Sequence, residues 1–276
     1  MTDVAETSSE ELIDKQQSLA NAKQAIAGPT PLIEDSPDTA MVLPRGLYVS
    51  GTFKRQAVVR ELTGVDEEQL AKSKDNSNMF DLVIALGTVS IDDFDLTAMP
   101  VVERQTWLRM LLLGERDQLF LAISKATFGE GRTINFTCSM CNEAQETELL
   151  LSEDFKPKEV DPSLSMESFE HTTARGDVLI VRLVTGEDQN EAFTRKGASI
   201  PEQNTIILSR CITKLNGGLV PDPTGYARAL SIKDRELLLA EMVSRQPSID
   251  LGVSTQCAAC GADQTLNLNW GLIFRS

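Results

Sequence analysis

Hydrophobic and polar positions follow a strand-like and then a helix-like period, and this order occurs twice along the chain. Apolar, β-branched runs at residues 57–62 and 177–184 each predict a strand. Each run leads into a T-G-x-D turn, at residues 63–66 and 185–188, whose threonine and acids suit a helix N-terminus. A capped helix is therefore expected after each of the two strands.

The strongest helical pattern lies at residues 104–128, where leucine and aromatic residues recur at helical spacing. Gly114 is expected to divide this segment into two helices. A second leucine-rich pattern with a charged start predicts a helix at residues 232–245, and residues 201–215 predict another before it. The apolar run at residues 79–87 fits a helix or a strand.

Four of the five cysteines form two C-x-x-C motifs, at residues 138–141 and 257–260. An alternating run precedes each motif, a turn residue (Asn142 or Gly261) follows it, and a second alternating run comes next. This order is typical of a β-hairpin that carries two cysteines at its tip, as in a zinc-ribbon knuckle. The alternating runs are residues 133–137, 146–151, 251–255 and 265–270.

Two such knuckles together offer a complete tetrahedral shell of four thiolates, with Zn–S distances of about 2.3 Å. We predict that one structural Zn²⁺ ion per chain is held by Cys138, Cys141, Cys257 and Cys260. Two reduced pairs without a metal are the alternative. A redox role fits less well, because neither pair opens a helix, where a thiolate would be stabilised.

The two halves of the chain also share landmarks at a nearly constant offset. The glycines of the T-G-x-D turns are 186 − 64 = 122 residues apart, and the first cysteines of the two motifs are 257 − 138 = 119 apart. We therefore interpret the chain as a duplicated unit, with residues 41–155 as the first repeat and residues 156–276 as the second. The predicted fold class is α+β, with two homologous repeats joined at a shared Cys₄ zinc-ribbon module.

Composition narrows the classes of function. The chain has 276 residues, with 41 Asp and Glu against 26 Lys and Arg, and a formal net charge of −15. This balance disfavours nucleic-acid binding, which needs clustered basic side chains. Residues 1–40 are acidic and are expected to form a disordered arm without a secretory signal. No apolar run reaches the length of a membrane span, and the cysteine usage suggests folding in a reducing cytosol.

Candidate catalytic groups are sparse. The single histidine, His171, lies on a predicted strand and is expected to be solvated. Cys211 lies in an apolar run and is expected to be an inert core thiol. The chain has no Gly-rich phosphate loop, no H-E-x-x-H motif and no G-x-S-x-G motif. We therefore expect no enzymatic activity.

Charged side chains near the helix starts are expected to form ion pairs. Arg60 and Arg182 are expected to pair with nearby acids, and the acids of the T-G-x-D turns are expected to cap helices rather than leave them open to phosphate. The dipeptides at residues 116–117 and 234–235 are expected to form ion pairs on a solvated or interface face.

The order of these motifs resembles a known family. Leu43-Pro44 and Gly46-Leu47 precede V-R-E-L-T-G-V-D-E-E-Q-L at residues 59–70, and a leucine-rich helix and the C-x-x-C knuckles follow. This order, over residues 41–276, is similar to that of the baseplate (hub) proteins of contractile tails. Such proteins occur in T-even-like phages and in related contractile injection systems.

The resemblance implies a structural or assembly protein of the baseplate without enzymatic activity. It implies hub and tail-tube proteins as partners in a hetero-oligomeric assembly, with no nucleic acid and no membrane. The implied location is the baseplate of a virion or injection system, assembled in the cytoplasm of the bacterial host. Two other classes stay open: a transient assembly chaperone for a tail component, and a zinc-ribbon adaptor associated with nucleic acid.

Overall fold

An antiparallel sheet begins the part of the chain that the computed structural model describes, namely residues 39–72, 76–161, 163–195 and 197–275. Its strands are β1 (Ala40–Val49), β2 (Thr52–Val59), β3 (Thr88–Ile91) and β4 (Phe94–Asp95), in that spatial order. The register of β1 against β2 shifts between Val42 and Leu47, where Gly46 has a φ of 86°. Pro44 and Gly46 therefore form an irregularity within a strand. Residues 1–38, nearly all of the predicted arm, lie outside the described residues.

Four helices complete the first half before the first knuckle. They are α1 (Gly64–Lys72), α2 (Asn76–Gly87), α3 (Val101–Leu108) and α4 (Leu113–Phe128). The ambiguous apolar run at residues 79–87 is helical. The prediction that Gly114 breaks the long helical segment was wrong, because the break lies at residues 109–112 and Gly114 belongs to the first turn of α4.

The first C-x-x-C motif joins β5 (Gly131–Thr137) to β6 (Ala144–Leu150), and the short helix α5 (Leu151–Asp154) follows. These strands pair antiparallel along their whole length, as the alternating pattern predicted.

The second half has its own antiparallel sheet, in the order β7-β8-β9, and its own paired knuckle strands, β10 and β11. Residues 212–215 form strand β9 instead of the end of the predicted helix. The elements are β7 (Ser168–Thr172), β8 (Val178–Arg182), α6 (Gly186–Thr194), α7 (Ile200–Cys211), β9 (Ile212–Leu215), α8 (Pro223–Ala229), α9 (Ile232–Ser244), β10 (Gly252–Gln256), β11 (Asp263–Asn267) and α10 (Trp270–Arg275).

Apart from β4, which has no equivalent among the described residues of the second half, both halves present the same series of elements. Each begins with a β-hairpin, continues through two helices to a third strand on the same sheet, and then has a short and a longer helix. Each ends with a C-x-x-C hairpin and a terminal helical turn or helix. The described residues thus form a mixed α+β structure with several small antiparallel sheets.

Three groups of buried side chains hold these elements together. One group lies mainly within the first half and another mainly within the second. The third lies beneath the knuckles and takes side chains from both halves, for example Leu121 and Leu149 from the first and Ile249 and Val253 from the second. Burying apolar surface there stabilises the halves as a pair, because each half contributes part of the group.

The C-terminal helix α10 crosses to the first half. The ring of Trp270 lies 5.2 Å from that of Phe120, and the ring of Phe274 lies 5.2 Å from that of Phe128. The buried Arg132 donates a hydrogen bond from Nε to the Ile273 carbonyl at 2.8 Å. The alternating run at residues 265–270 predicted a strand as far as Trp270, but this strand ends at Asn267 and Trp270 begins a helix that packs on the first half.

The halves also meet where α3 gives way to α4. The backbone N–H of Gly186 donates to the Leu111 carbonyl at 3.1 Å, and that of Glu187 donates to the Arg109 carbonyl at 2.8 Å. These donors belong to the first turn of α6, where backbone N–H groups lack partners within the helix. The first half thus satisfies the helix start of the second.

None of the helices within the described ranges combines the length and the apolar composition that a membrane span requires.

Candidate metal centre

The two C-x-x-C turns have the same backbone geometry. The Cys138 N–H donates to the Glu143 carbonyl at 2.9 Å, and the Cys257 N–H donates to the Ala262 carbonyl at 2.9 Å. The residue after the second cysteine has a positive φ in both turns, 59° at Asn142 and 72° at Gly261. Asparagine and glycine adopt this conformation most readily, so the turn residues fix how the cysteines are presented.

The turns bring all four cysteines of the motifs to one place. The Sγ atoms of Cys138 and Cys260 are 3.8 Å apart, and those of Cys141 and Cys257 are 3.6 Å apart. All four sulfurs lie within 4.8 Å of one another, and no cysteine of the described residues is in a disulfide. In a tetrahedral shell with Zn–S distances of about 2.3 Å, neighbouring sulfurs are about 3.8 Å apart. The donor set therefore fits one tetrahedral metal ion shared by the two motifs.

Within the described ranges, no other group of three or more His, Cys, Asp and Glu side chains has ligand atoms close enough to hold a metal ion.

The cysteine sulfurs accept hydrogen bonds that favour their charged form. Backbone N–H groups of Met140 and Cys260 lie 3.4 Å from the sulfurs of Cys138 and Cys257. The Cys260 N–H and the side-chain amide of Gln145 lower the pKa of Cys257 to about 6.

The neighbouring thiols act in the opposite direction at Cys141. The Glu143 N–H favours the thiolate of Cys141, but desolvation by the neighbouring atoms and the hydrogen bonds among the cysteine sulfurs outweigh it and raise the pKa of Cys141 to about 12. Four thiolates at such short distances require a cation to balance their charge, which is the condition that a divalent metal ion meets.

Two glutamines join the knuckles reciprocally. The Ala258 N–H donates to Oε1 of Gln145 at 2.9 Å, and the Ser139 N–H donates to Oε1 of Gln264 at 3.2 Å. Nε2 of Gln145 also lies 2.7 Å from the sulfur of Cys257. Each glutamine stands four residues after the second cysteine of its own motif, so the pair follows the same offset as the cysteines. That shared offset was the signal that could have identified them from the sequence.

The T-G-x-D acids cap helices and bind arginines, as predicted. Asp66 accepts hydrogen bonds from both terminal nitrogens of Arg60, at 2.8 and 2.9 Å, and from the Thr63 N–H. Asp188 does the same with Arg182 at 2.6 and 2.8 Å and accepts a further bond from Arg210 at 2.7 Å. The second corner is the more heavily bonded of the two.

Several other charged residues differ from expectation. Arg116 is buried and pairs with Asp81 instead of its neighbour Asp117, because the guanidinium faces helix α2. Arg235 donates to Thr205 and to two backbone carbonyls. Asp234 accepts from the Ala174 N–H, so it holds the hairpin of its own half against α9. None of these side chains forms the predicted solvated ion pair.

The prediction that His171 is solvated was wrong. Its Nδ1 lies 2.8 Å from a Glu241 carboxylate oxygen, and Nε2 is buried without a hydrogen-bond partner among the described residues. Glu241 belongs to α9, and the side chain of His171 is 11% exposed. Cys211 is fully buried, and burial raises the pKa of its thiol to about 12, consistent with an inert core residue.

Comparison with protein families gives a match over most of the chain. A family model described as T4 bacteriophage base plate protein matches residues 54–270, which include both T-G-x-D corners and both C-x-x-C motifs. Comparison with the curated proteins and with the solved structures gives no match.

Proposed function

The chain belongs to the T4 bacteriophage base plate protein family, and we propose that its place is in the hub of a contractile tail baseplate or in the assembly of that hub. The proposal is based on the structural role at the virion baseplate that family membership supports. The role is non-enzymatic, with other hub proteins and tail-tube proteins as partners in a hetero-oligomeric assembly. Contractile injection systems are the related setting, and the cytoplasm of the bacterial host is where the subunit would assemble.

The observation that carries the mechanical part of the proposal is the position of four sulfurs within 4.8 Å, two from each half of the chain. We propose that Cys138, Cys141, Cys257 and Cys260 hold one structural Zn²⁺ ion. Four protein ligands complete a tetrahedral shell and leave no position for water or substrate, as in structural rather than catalytic zinc sites. Zinc would supply positive charge for the thiolates and a rigid link between hairpins.

Such a link would join Cys141 to Cys257, which are 257 − 141 = 116 positions apart in the sequence. Binding of zinc to structural sites contributes on the order of 10 kcal/mol to folding. The halves already share the buried group beneath the knuckles and the reciprocal glutamine contacts. The ion would therefore fix the relative position of two halves that already pack against each other. A rigid link of this kind suits a subunit that transmits force in a particle.

A duplicated unit explains why the two halves meet in this way. The common series of elements, the equivalent corners at Asp66 and Asp188, and the equivalent glutamines support an origin by duplication. The proposed repeats are residues 41–155 and 156–276, and residues 1–40 are the proposed arm. The knuckles of both repeats then form one zinc-ribbon module.

The presence of the chain in finished particles tests the baseplate role. Tails are purified from producing cells, and the amount of this chain relative to the tail-tube protein is measured by quantitative mass spectrometry through successive purification steps. A constant ratio in tails that carry baseplates is expected. Association with assembly intermediates, followed by loss from mature tails, would contradict a structural subunit and favour the transient chaperone.

A further inference from the structure

The contact between the halves joins two different surfaces. The donor surface is the α6 corner, where Gly186 and Glu187 present their N–H groups, and the acceptor surface is the turn that carries the Arg109 and Leu111 carbonyls. A duplicated chain has a second copy of each surface. The equivalents of the donor surface are residues 63–65, here named the first corner, and the equivalents of the acceptor surface are residues 228–232, here named the last turn.

The first corner and the last turn do not meet within the chain. Val65 is 67% exposed at the first corner, and Ile232 is 77% exposed at the last turn. By contrast, Thr185 in the engaged corner is only 6% exposed. Across the described residues, the N–H groups of Gly64 and Val65 have no protein partner, and neither have the carbonyls of Arg228 and Leu230.

The glycines of the two corners show the same difference. A Cβ at Gly186 would overlap the guanidinium of Arg116, so the engaged corner needs glycine to admit that side chain. A Cβ at Gly64 would meet nothing within 4 Å. The backbone of Gly64 has an ordinary φ, so nothing within the described part of the chain requires a glycine there. A side chain equivalent to Arg116 that docked on Gly64 from outside would explain why a glycine stands there. The residue of the second half that is equivalent to Arg116 is Arg235.

The charges on the two unengaged surfaces are complementary. Glu61, Glu67 and Glu68 are exposed around the first corner, whereas Arg228 and Lys233 are exposed around the last turn. In a chain with a net charge of −15, a local excess of basic side chains is a specific feature. The opposite charges attract a first corner to a last turn, whereas like charges repel two first corners or two last turns from each other.

We propose that the last turn of one copy of this chain docks on the first corner of a second copy, as the internal contact does within one chain. The Gly64 and Val65 N–H groups then donate to the Leu230 and Arg228 carbonyls of the neighbour. Because the two surfaces differ, each copy keeps one of them for the next neighbour. Repetition produces a ring where the rotation closes and a helical stack where it does not.

Two exposed residues allow the surfaces to be blocked separately. Val65→Arg places a positive charge on the first corner against Arg228 and Lys233 of the neighbour. Ile232→Glu places a negative charge on the last turn against Glu67 and Glu68. Both side chains are mostly exposed, so both variants should fold, as far-UV circular dichroism and the melting temperature would show. Val102→Arg changes a similarly exposed valine in α3 that belongs to neither surface and is the matched control.

Sedimentation velocity of the full chain at low ionic strength, up to the highest attainable concentration, tests the proposal. The wild type and the Val102→Arg control should form a concentration-dependent series of oligomers, and each blocked variant alone should stay monomeric. An equimolar mixture of the two blocked variants should form a dimer and nothing larger, because one intact surface remains on each. A monomeric wild type, unaffected blocked variants, or a mixture without a dimer would overturn the proposal.

Discussion

Gly114 packs against the carbonyl of Pro247 so closely that a Cβ at position 114 would overlap the carbonyl atoms. Gly114 lies in the first turn of α4 in the first half, whereas Pro247 follows α9 in the second. Glycine is therefore required here by the approach of two backbones from different halves, and not by a helix break.

Gly114→Ala should destabilise the protein, because the added methyl group forces the halves apart. Overpacking of this kind costs about 1–3 kcal/mol, which urea unfolding followed by circular dichroism can measure. Gly131→Ala is the control, since a Cβ at this exposed strand position meets nothing within 4 Å. The control should stay within about 0.5 kcal/mol of wild type. An equal effect at both positions would contradict the close approach of the halves.

Asp188→Asn should cost much more stability than Asp66→Asn. Asp188 is fully buried and pairs with two arginines, Arg182 and Arg210, whereas Asp66 pairs with one, Arg60. Removal of one partner from a buried ion pair costs about 3–5 kcal/mol, whereas the loss at Asp66 should be about 1–3 kcal/mol. Denaturant unfolding of both variants at pH 7 gives the comparison, and a reversed order would contradict the account of the corners.

The same aspartate gives a pH dependence. Burial alone would raise the pKa of Asp188, but the hydrogen bonds and charge of Arg182 outweigh burial and hold the pKa well below 3.8. A carboxyl with a depressed folded-state pKa stabilises the protein above the unfolded-state pKa and loses this contribution as the pH falls through the folded-state value. The stability difference between wild type and Asp188→Asn should therefore shrink below about pH 4.

Asp117→Asn should have the opposite pH dependence. Burial raises the pKa of Asp117 to about 7 in the folded protein, from 3.8. The folded state then binds more protons than the unfolded state between these values, so wild-type stability falls as the pH rises through this window. The variant should match wild type near pH 4 and exceed it by roughly 2–4 kcal/mol at pH 8. A difference between variant and wild type that is unchanged from pH 4 to pH 8 would contradict this assignment.

Gln145→Ala and Gln264→Ala should each weaken the binding of zinc. The glutamines orient the facing turns through the Ala258 and Ser139 N–H groups, and such supporting contacts change metal affinity by about 10–100-fold. Competition with a chromophoric zinc chelator measures the affinity. Gln256→Ala, in the same region but bonded to Asp263 alone, is the control and should bind zinc as wild type does. Unchanged affinity in both test variants would show that the reciprocal contacts do not support the site.

Local patterns predicted the knuckles and the corners well. Polar and apolar residues alternate along the strands around the C-x-x-C motifs, and a two-residue period of this kind indicates a strand rather than a helix. The T-G-x-D corners were identified because a threonine and an acid three residues later form a helix cap with known chemistry, which Thr185 and Asp188 display.

Features that depend on tertiary contacts were not predictable in the same way. Residues 212–215 follow α7 directly in the sequence, and their pairing with β8 makes them a strand instead of the end of that helix. Trp270 continues an alternating pattern, yet its packing on Phe80 and Phe120 places it in a helix. The only sequence signal of the glutamines at the candidate metal centre is their constant offset from the two C-x-x-C motifs, and an offset does not show which groups they contact. Sequence patterns therefore indicated that the four cysteines of the motifs meet, but not which side chains position them.

The most direct test of the central claim is the zinc content of purified variants by elemental analysis. If both halves share one ion, wild type and Cys211→Ala should each contain one zinc per chain, because Cys211 lies in the core away from the site. Cys138→Ser and Cys257→Ser, changed in different halves, should each lose that zinc and expose the remaining motif thiols to a thiol reagent. A full equivalent of zinc in both serine variants, or none in wild type, would contradict a shared structural ion.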